Sequence, residues 1–233
     1  MKKRIFSGLL LCLLLTSCGH IAPKQLPEPT PSQTPVVTPS PTPTPTPTPP
    51  PEVPDETLVN VQDYIPSVFV DLRYATENNF TGQVIYDFTA AQLRYGTVKK
   101  LAAAADALAA QGYALLIWDA YRPVSAQFRL WEVWPDSTYV ANPNTGYSNH
   151  SRGSCVDISL VTIEGGAVEM PSGFDEFTLR ADRDYSDVSE AAAQHARLLE
   201  QAMTAAGFVP YAGEWWHYTD SVQYDVVQYR VER

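Results

Sequence analysis

Two of the chain's four histidines stand close to an acid: Asp157 follows His150 by seven residues, and Glu214 precedes His217 by three. Imidazole and carboxylate together suit a divalent cation. A hydrolytic zinc takes three protein ligands from His and carboxylate, leaves the fourth position to water, and works beside a general base. His150, Asp157 and His217 can supply the ligands and Glu214 the base. A second reading stays open on spacing alone. His217, flanked by Trp215, Trp216 and Tyr218, can equally be a core histidine in an aromatic cluster. Of the remaining two, His20 lies in a Pro-rich stretch and His195 in an alanine-rich helical pattern. Residues seven apart on one straight strand point to opposite faces. Gly153 must therefore bend the chain between His150 and Asp157, and Glu214 with His217 poses a similar difficulty.

The elements that must position these groups are legible as patterns. Thr89 and Gln92 form a possible capping box. After them Val98, Leu101, Ala105 and Leu108 recur at helical spacing, with Gly112 as the stop. An apolar strand from Tyr113 to Trp118 delivers Asp119 and Arg122 to its C-terminal end. Pro123 suits the first position of a following helix, and Pro135 ends it. "SCVDISLV" reads as a strand with Cys155, Asp157 and Ser159 on one face and Val156, Ile158 and Leu160 on the other. Cys155 there reads as a small buried filler rather than a nucleophile. Asp187 with Glu190 caps a helix that Gly207 closes. Short strands follow around "FVPY" and "EWWHYT", and "YDVVQYRV" alternates enough to pair with them. Helices and strands are segregated, which predicts an α+β fold with a small antiparallel sheet.

The ends are a different kind of sequence. Residues 1–17 carry a basic start (Lys2, Lys3, Arg4) and an apolar stretch from Ile5 to Leu15, too short to span a bilayer comfortably. The small residues before Cys18 match a bacterial lipoprotein signal, with cleavage before Cys18 and acylation of it. Residues 18–54 follow as a Pro/Thr-rich tether; 14 of the 20 prolines fall in residues 19–54. Such a chain builds no core, and at ~3.1 Å per residue it reaches on the order of 110 Å. The expected address is extracytoplasmic, lipid-anchored to the bacterial membrane. Residues 55–233 form one domain, in which 12 Arg and Lys face 24 Asp and Glu. That balance argues against nucleic acid or anionic lipid as a partner, and no protein partner is predicted. With Cys155 the only cysteine of this body, no internal disulfide forms, and an apolar core must hold it together.

"SNHSRGSCVDISL" and "EWWHY", with "LRYATENNFTG", "QGYALLIWDAYRP" and "MPSGFDEF" in the same order, resemble the zinc D-alanyl-D-alanine dipeptidases of the VanX type. These belong to the peptidoglycan metallopeptidases that include D,D-carboxypeptidases and the hedgehog signalling domain. The resemblance covers nearly all of the body and none of the tether. It implies a hedgehog/D,D-peptidase-like fold and one Zn2+ on His150, Asp157 and His217, with Glu214 as catalytic base. It further implies that Arg122, held by Asp119, meets the oxyanion, and that Asp175 meets the substrate's free ammonium. Tyr74 and Ser148 would line the same small pocket. The implied reaction is hydrolysis of D-Ala-D-Ala, or of wall-derived peptides, linked to cell-wall peptide turnover. Asp175 favours a dipeptidase over a D,D-carboxypeptidase acting on stem peptides, which needs no such acid. A catalytically silent wall-binding lipoprotein is a third reading, and the presence of both Glu214 and Arg122 argues against it. The exported address departs from relatives that act on a cytoplasmic dipeptide pool.

Overall fold

The computed structural model describes residues 50–227. The signal, Cys18 and most of the tether expected from the sequence lie outside the described residues. The elements run β1 (Leu58–Asn60), α1 (Val61–Tyr64), β2 (Phe69–Val70), β3 (Gln92–Arg94), α2 (Tyr95–Ala109), β4 (Tyr113–Asp119), α3 (Val124–Val133), β5 (Cys155–Thr162), α4 (Glu190–Ala205), β6 (Phe208–Pro210) and β7 (His217–Asp220). A short 3-10 turn, Asn149–Arg152, precedes β5.

The main sheet has five strands in the order β2-β4-β5-β7-β6, and β1 pairs with β3 in a separate ribbon. The α+β class holds, with one difference: the β2–β4 edge runs parallel while every other pair is antiparallel. The reason is the connection between them. It contains α2, and a helical crossover returns the chain in the same direction. Helices α2 and α4 pack on each other and on β4 and β5. Leu101, Leu108, Leu115, Ile117, Val156, Ile158, Leu160, Leu199 and Met203 join them in one core. Each such fully buried side chain is worth about 1.5–3 kcal/mol, ample support for a central strand that carries polar groups on its other face.

Several boundaries moved. No capping box forms at Thr89, because Gln92 belongs to β3 and α2 starts at Tyr95 with Arg94 as its uncapped N-cap. Backbone pairing with β1 outcompetes the cap. Pro123 is the N-cap of α3 rather than its first residue. Ser189, not Asp187, caps α4, accepting from the Ala192 N–H at 3.0 Å. Tyr224–Val227 form no strand, and the rest of "YDVVQYRV" lies outside the described residues. Gly112 and Gly207 take positive φ just past α2 and α4, as stop signals require.

Candidate metal centre and its pocket

Three neighbouring strands line up the acids and one imidazole. Asp119 of β4 stands opposite Asp157 of β5, and Asp157 stands opposite His217 of β7. The first pairing depends on a bulge: β4 slips between Ile117 and Asp119. Regular pairing from Ile117 and Ile158 would have put Trp118 across from Asp157. A bulge re-aims a side chain in this way.

His150 arrives from outside the sheet. Ser148 caps its 3-10 turn, the serine Oγ accepting from the His150 N–H at 3.2 Å. Gly153 ends the turn in the left-handed region, φ +70, and redirects the chain into β5. The seven-residue difficulty disappears because only Asp157 is on a strand. The Glu214 difficulty disappears likewise. Glu214 sits in the turn before β7, so strand alternation does not govern it.

The ligand atoms converge. His150 Nε2 lies 3.4 Å from Asp157 Oδ2, and His217 Nδ1 lies 3.0 Å from Asp157 Oδ1 and 3.5 Å from Glu214 Oε2. The two imidazole centroids are 5.2 Å apart, with rings steeply inclined at 74°. His150 Nδ1 lies 2.8 Å from the Ala120 carbonyl, which fixes that nitrogen as the N–H donor and turns Nε2 to the cluster. The residues fit a zinc ion on a specific observation. Asp157 Oδ1 is buried with no hydrogen-bond partner, although an imidazole nitrogen stands within 3.0 Å. A carboxylate oxygen left so in the interior is costly, and a cation between these donors removes the cost. Two imidazoles, a carboxylate and a nearby acid are the donor set of a hydrolytic zinc site with an open position. Burial, with Asp157 beside it, pushes the Glu214 carboxyl up from the usual carboxylate range. A carboxyl poised there can both take and return a proton near neutral pH.

Arg122 lies against this cluster. Its backbone N–H donates to the His150 carbonyl at 3.2 Å. Its guanidinium donates to Asp119 Oδ2 at 2.5 Å, to Gln127 Oε1 at 2.9 Å and to the Tyr86 hydroxyl at 3.2 Å, and it stacks 5.0 Å from the Tyr74 ring centre. Tyr86 in turn donates to Asp119 Oδ1 at 2.6 Å. Asp119 is fully buried beneath Arg122, so it reaches a substrate only by acting through the arginine. Asp175 lies on the other side of Tyr74: its Oδ2 accepts from the Tyr74 hydroxyl at 2.7 Å, and burial pushes it up to about 8 despite that hydrogen bond. Asp175 has φ +53, an uncommon conformation for a residue with a side chain. Phe174 packs beside it on Tyr74, Trp118 and Trp216.

The structure therefore brings together His150, Asp157, His217, Glu214, Arg122, Asp119, Tyr74 and Asp175. It places Ser148 as the cap of the His150 turn. His217 is half-buried rather than a core residue, and its ring packs on Tyr211 at 5.7 Å, so the aromatic-core reading holds only in part. Sequence reasoning missed Tyr86 and Gln127, which no local pattern marks. It also missed the surroundings of Cys155, whose sulfur lies 3.1 Å from His217 Nε2 rather than in a purely apolar setting.

A model of the Peptidase_M15 family, described as D-ala-D-ala dipeptidase, matches residues 55–230. The chain belongs to this family. It is 37% identical over 161 residues to a D-alanyl-D-alanine dipeptidase of Escherichia coli (strain K12), covering 69% of this chain and 83% of that one. It is 34% identical over 178 residues to a D-alanyl-D-alanine dipeptidase of Enterococcus faecium, covering 68% and 88%. Among solved structures, "VanYB in complex with D-Alanine-D-Alanine" aligns with 56% of this chain and 72% of its own at 18% identity and TM-score 0.38. That likeness is loose, and the sheet order above defines the fold without it.

Proposed function

We propose that this chain is a zinc-dependent D-alanyl-D-alanine dipeptidase, with His150, Asp157 and His217 as ligands and Glu214 as general base. Membership of the family supports the reaction class. The observation that carries the substrate assignment is the pairing of Asp175 with Tyr74, whose ring also stacks on the Arg122 guanidinium. A dipeptide with a free amino terminus brings an ammonium to that carboxylate. A longer peptide brings a neutral amide and leaves the acid unpaired.

His150, Asp157 and His217 would hold the zinc, which would supply Lewis acidity and make the attacking water easier to deprotonate. The residues do the rest. Glu214 takes a proton from that water and returns it to the leaving amine nitrogen. Arg122 faces the negative charge that grows on the scissile carbonyl oxygen. Its guanidinium is locked by Asp119, Gln127 and Tyr86, so little reorganisation accompanies the reaction. Asp175, oriented by Tyr74, holds the substrate's amino end and sets how far the dipeptide enters.

The address is part of the same reading. The basic-then-apolar start, the small residues before Cys18 and the Pro-rich stretch support an exported lipoprotein on a long tether. Such a protein would act on dipeptide released from the wall rather than on a cytosolic pool. Metabolic labelling with a palmitate analogue tests the anchor, and loss of label in Cys18→Ala is expected. The reaction is tested by comparing free D-Ala-D-Ala with an acylated tripeptide ending in the same residues, with and without chelator. Fast turnover of the free dipeptide alone, abolished by metal stripping, is expected. Preference for the acylated peptide would make the protein a D,D-carboxypeptidase.

A further inference from the structure

We propose that Arg183 is a positioning residue for the general base: its guanidinium closes the turn that carries Glu214 and so sets where that carboxylate stands beside the metal cluster. This rests on the reading of Glu214 as the base.

Glu214 reaches the cluster from a turn rather than from a strand. Residues 211–216 link β6 to β7. The strand ladder holds His217 through its pairing with Asp157, but it does not extend to Glu214. Within the turn the Glu214 N–H donates to the Tyr211 carbonyl at 3.3 Å, and the Glu214 carbonyl accepts from the His217 N–H at 3.3 Å. Both bonds are long. Trp215 and Trp216, fully buried, fasten the far half of the turn. Tyr211 to Gly213 are exposed, so the near half needs a different anchor.

Arg183 supplies it. Its Nε donates to the Tyr211 carbonyl at 2.7 Å and its Nη2 to the His217 carbonyl at 3.1 Å, so one planar group spans both feet of the turn. Its Nη1 donates to Glu200 Oε2 of α4 at 2.9 Å and to the Tyr218 hydroxyl at 3.1 Å, and the guanidinium lies 4.6 Å from the Tyr218 ring centre. The Tyr185 hydroxyl donates to the same Glu200 oxygen at 3.2 Å, from a residue at φ +57, an uncommon conformation where there is a side chain. The Arg183 side chain is only 10% exposed. A rigid fork of donors holds several acceptors at fixed separations, which a lysine ammonium does not. Arg183 also lies on the loop that bears Asp175. That loop meets the turn at two further points: the Trp215 N–H donates to the Ala181 carbonyl at 2.8 Å, and the Trp215 indole N–H donates to Ser172 Oγ at 2.9 Å. The base and the acid that receives the substrate's amino end are thereby tied to one another.

Arg183→Lys keeps a cation opposite Glu200 and loses the fork. It is expected to retain one zinc per chain and a KM for D-Ala-D-Ala within about twofold of wild type, while kcat falls about 10–100-fold, since a misplacement of about 1 Å can cost a hundredfold. A double-mutant cycle separates positioning from a general loss of structure. In a Glu214→Gln background Arg183→Lys is expected to leave the residual turnover unchanged, because no base remains to be misplaced. Should Arg183→Lys fail to fold, Glu200→Gln, which keeps the guanidinium but loosens its hold, enters the same cycle; a smaller loss of kcat is expected, again absent from the Glu214→Gln background. An equal loss in both backgrounds marks a merely structural role and overturns the proposal. Wild-type kcat in Arg183→Lys, or loss of its zinc, overturns it too. Wild-type turnover in Glu214→Gln alone would defeat the assignment of the base, and this inference with it.

Discussion

Asp119 faces Asp157 across the β4–β5 ladder because the register of β4 slips by one residue just before Asp119. That slip puts an uncharged Trp118 out of the way and a buried acid beneath the arginine that borders the metal cluster. Asp119 Oδ2 accepts from Arg122 at 2.5 Å and braces the arginine, while His150 Nδ1, 3.6 Å away, is held by the Ala120 carbonyl at 2.8 Å. Removing one partner of a buried ion pair leaves the other charge uncompensated, at about 3–5 kcal/mol. Asp119→Ala is expected to lose that much stability in chemical denaturation. The loss should exceed that of an exposed pair such as Lys99–Asp55, which water and salt screen.

Arg122→Ala separates the chemistry from the metal. The guanidinium is not a ligand, so metal content should stay at the wild-type level. The turnover number should fall about a hundredfold or more, corresponding to about 3 kcal/mol of lost stabilisation of the developing oxyanion. Single-turnover kinetics on D-Ala-D-Ala check this. A variant with normal turnover would remove Arg122 from the reaction.

Asp175 links substrate binding to pH. Burial holds its carboxyl up to about 8, with the Tyr74 hydroxyl pulling the other way. The ionised form is the one that pairs with an ammonium. At pH 7 the free site is therefore mostly protonated, and binding the charged dipeptide should release a proton. Affinity should weaken as pH falls below about 8, and it should weaken again at higher pH as the substrate's own ammonium, which titrates at about 8, loses its charge. Calorimetry in two buffers of different ionisation enthalpy reads the released proton directly. Asp175→Asn should abolish that release and raise KM for the free dipeptide while leaving N-acetylated substrate nearly unaffected.

The loop bearing Asp175 is clamped by aromatic contacts. Phe177 packs on Tyr139 at 4.3 Å and on Phe80 at 5.4 Å, and Phe80 packs on Trp134 at 5.8 Å and on Tyr74 at 6.3 Å. Each such pair contributes about 0.5–1.5 kcal/mol beyond its buried area. Phe177→Ala should loosen the loop. The ratio of kcat/KM for free over acylated D-Ala-D-Ala should then drop about tenfold, a change that corresponds to about 1.4 kcal/mol of discrimination.

The helices of the core were legible because their burial follows simple periodicity: Val98, Leu101, Ala105 and Leu108 all face inward. The alternation of β5 was legible for the same reason. The parallel β2 edge was not, since two residues, Phe69 and Val70, carry no periodic signal. The ligands were legible as residue types and motifs, whereas their convergence depends on Gly153, on the bulge and on the turn holding Glu214, all of which local patterns leave open. Tyr86 stayed hidden because it reaches Arg122 from 36 residues away, and Gln127, only five residues on, because nothing in the local pattern shows that α3 aims its amide back at the guanidinium. Cys155 is buried as its strand pattern predicts, but its surroundings stay hidden because the nearby His217 comes from another strand.

The central claim is that Glu214 serves the reaction without holding the metal. Glu214→Ala should retain one zinc per chain by elemental analysis while hydrolysis of D-Ala-D-Ala falls by three orders of magnitude or more, roughly 4 kcal/mol. A Glu214→Ala protein that keeps its zinc and cleaves the dipeptide at the wild-type rate would contradict the account.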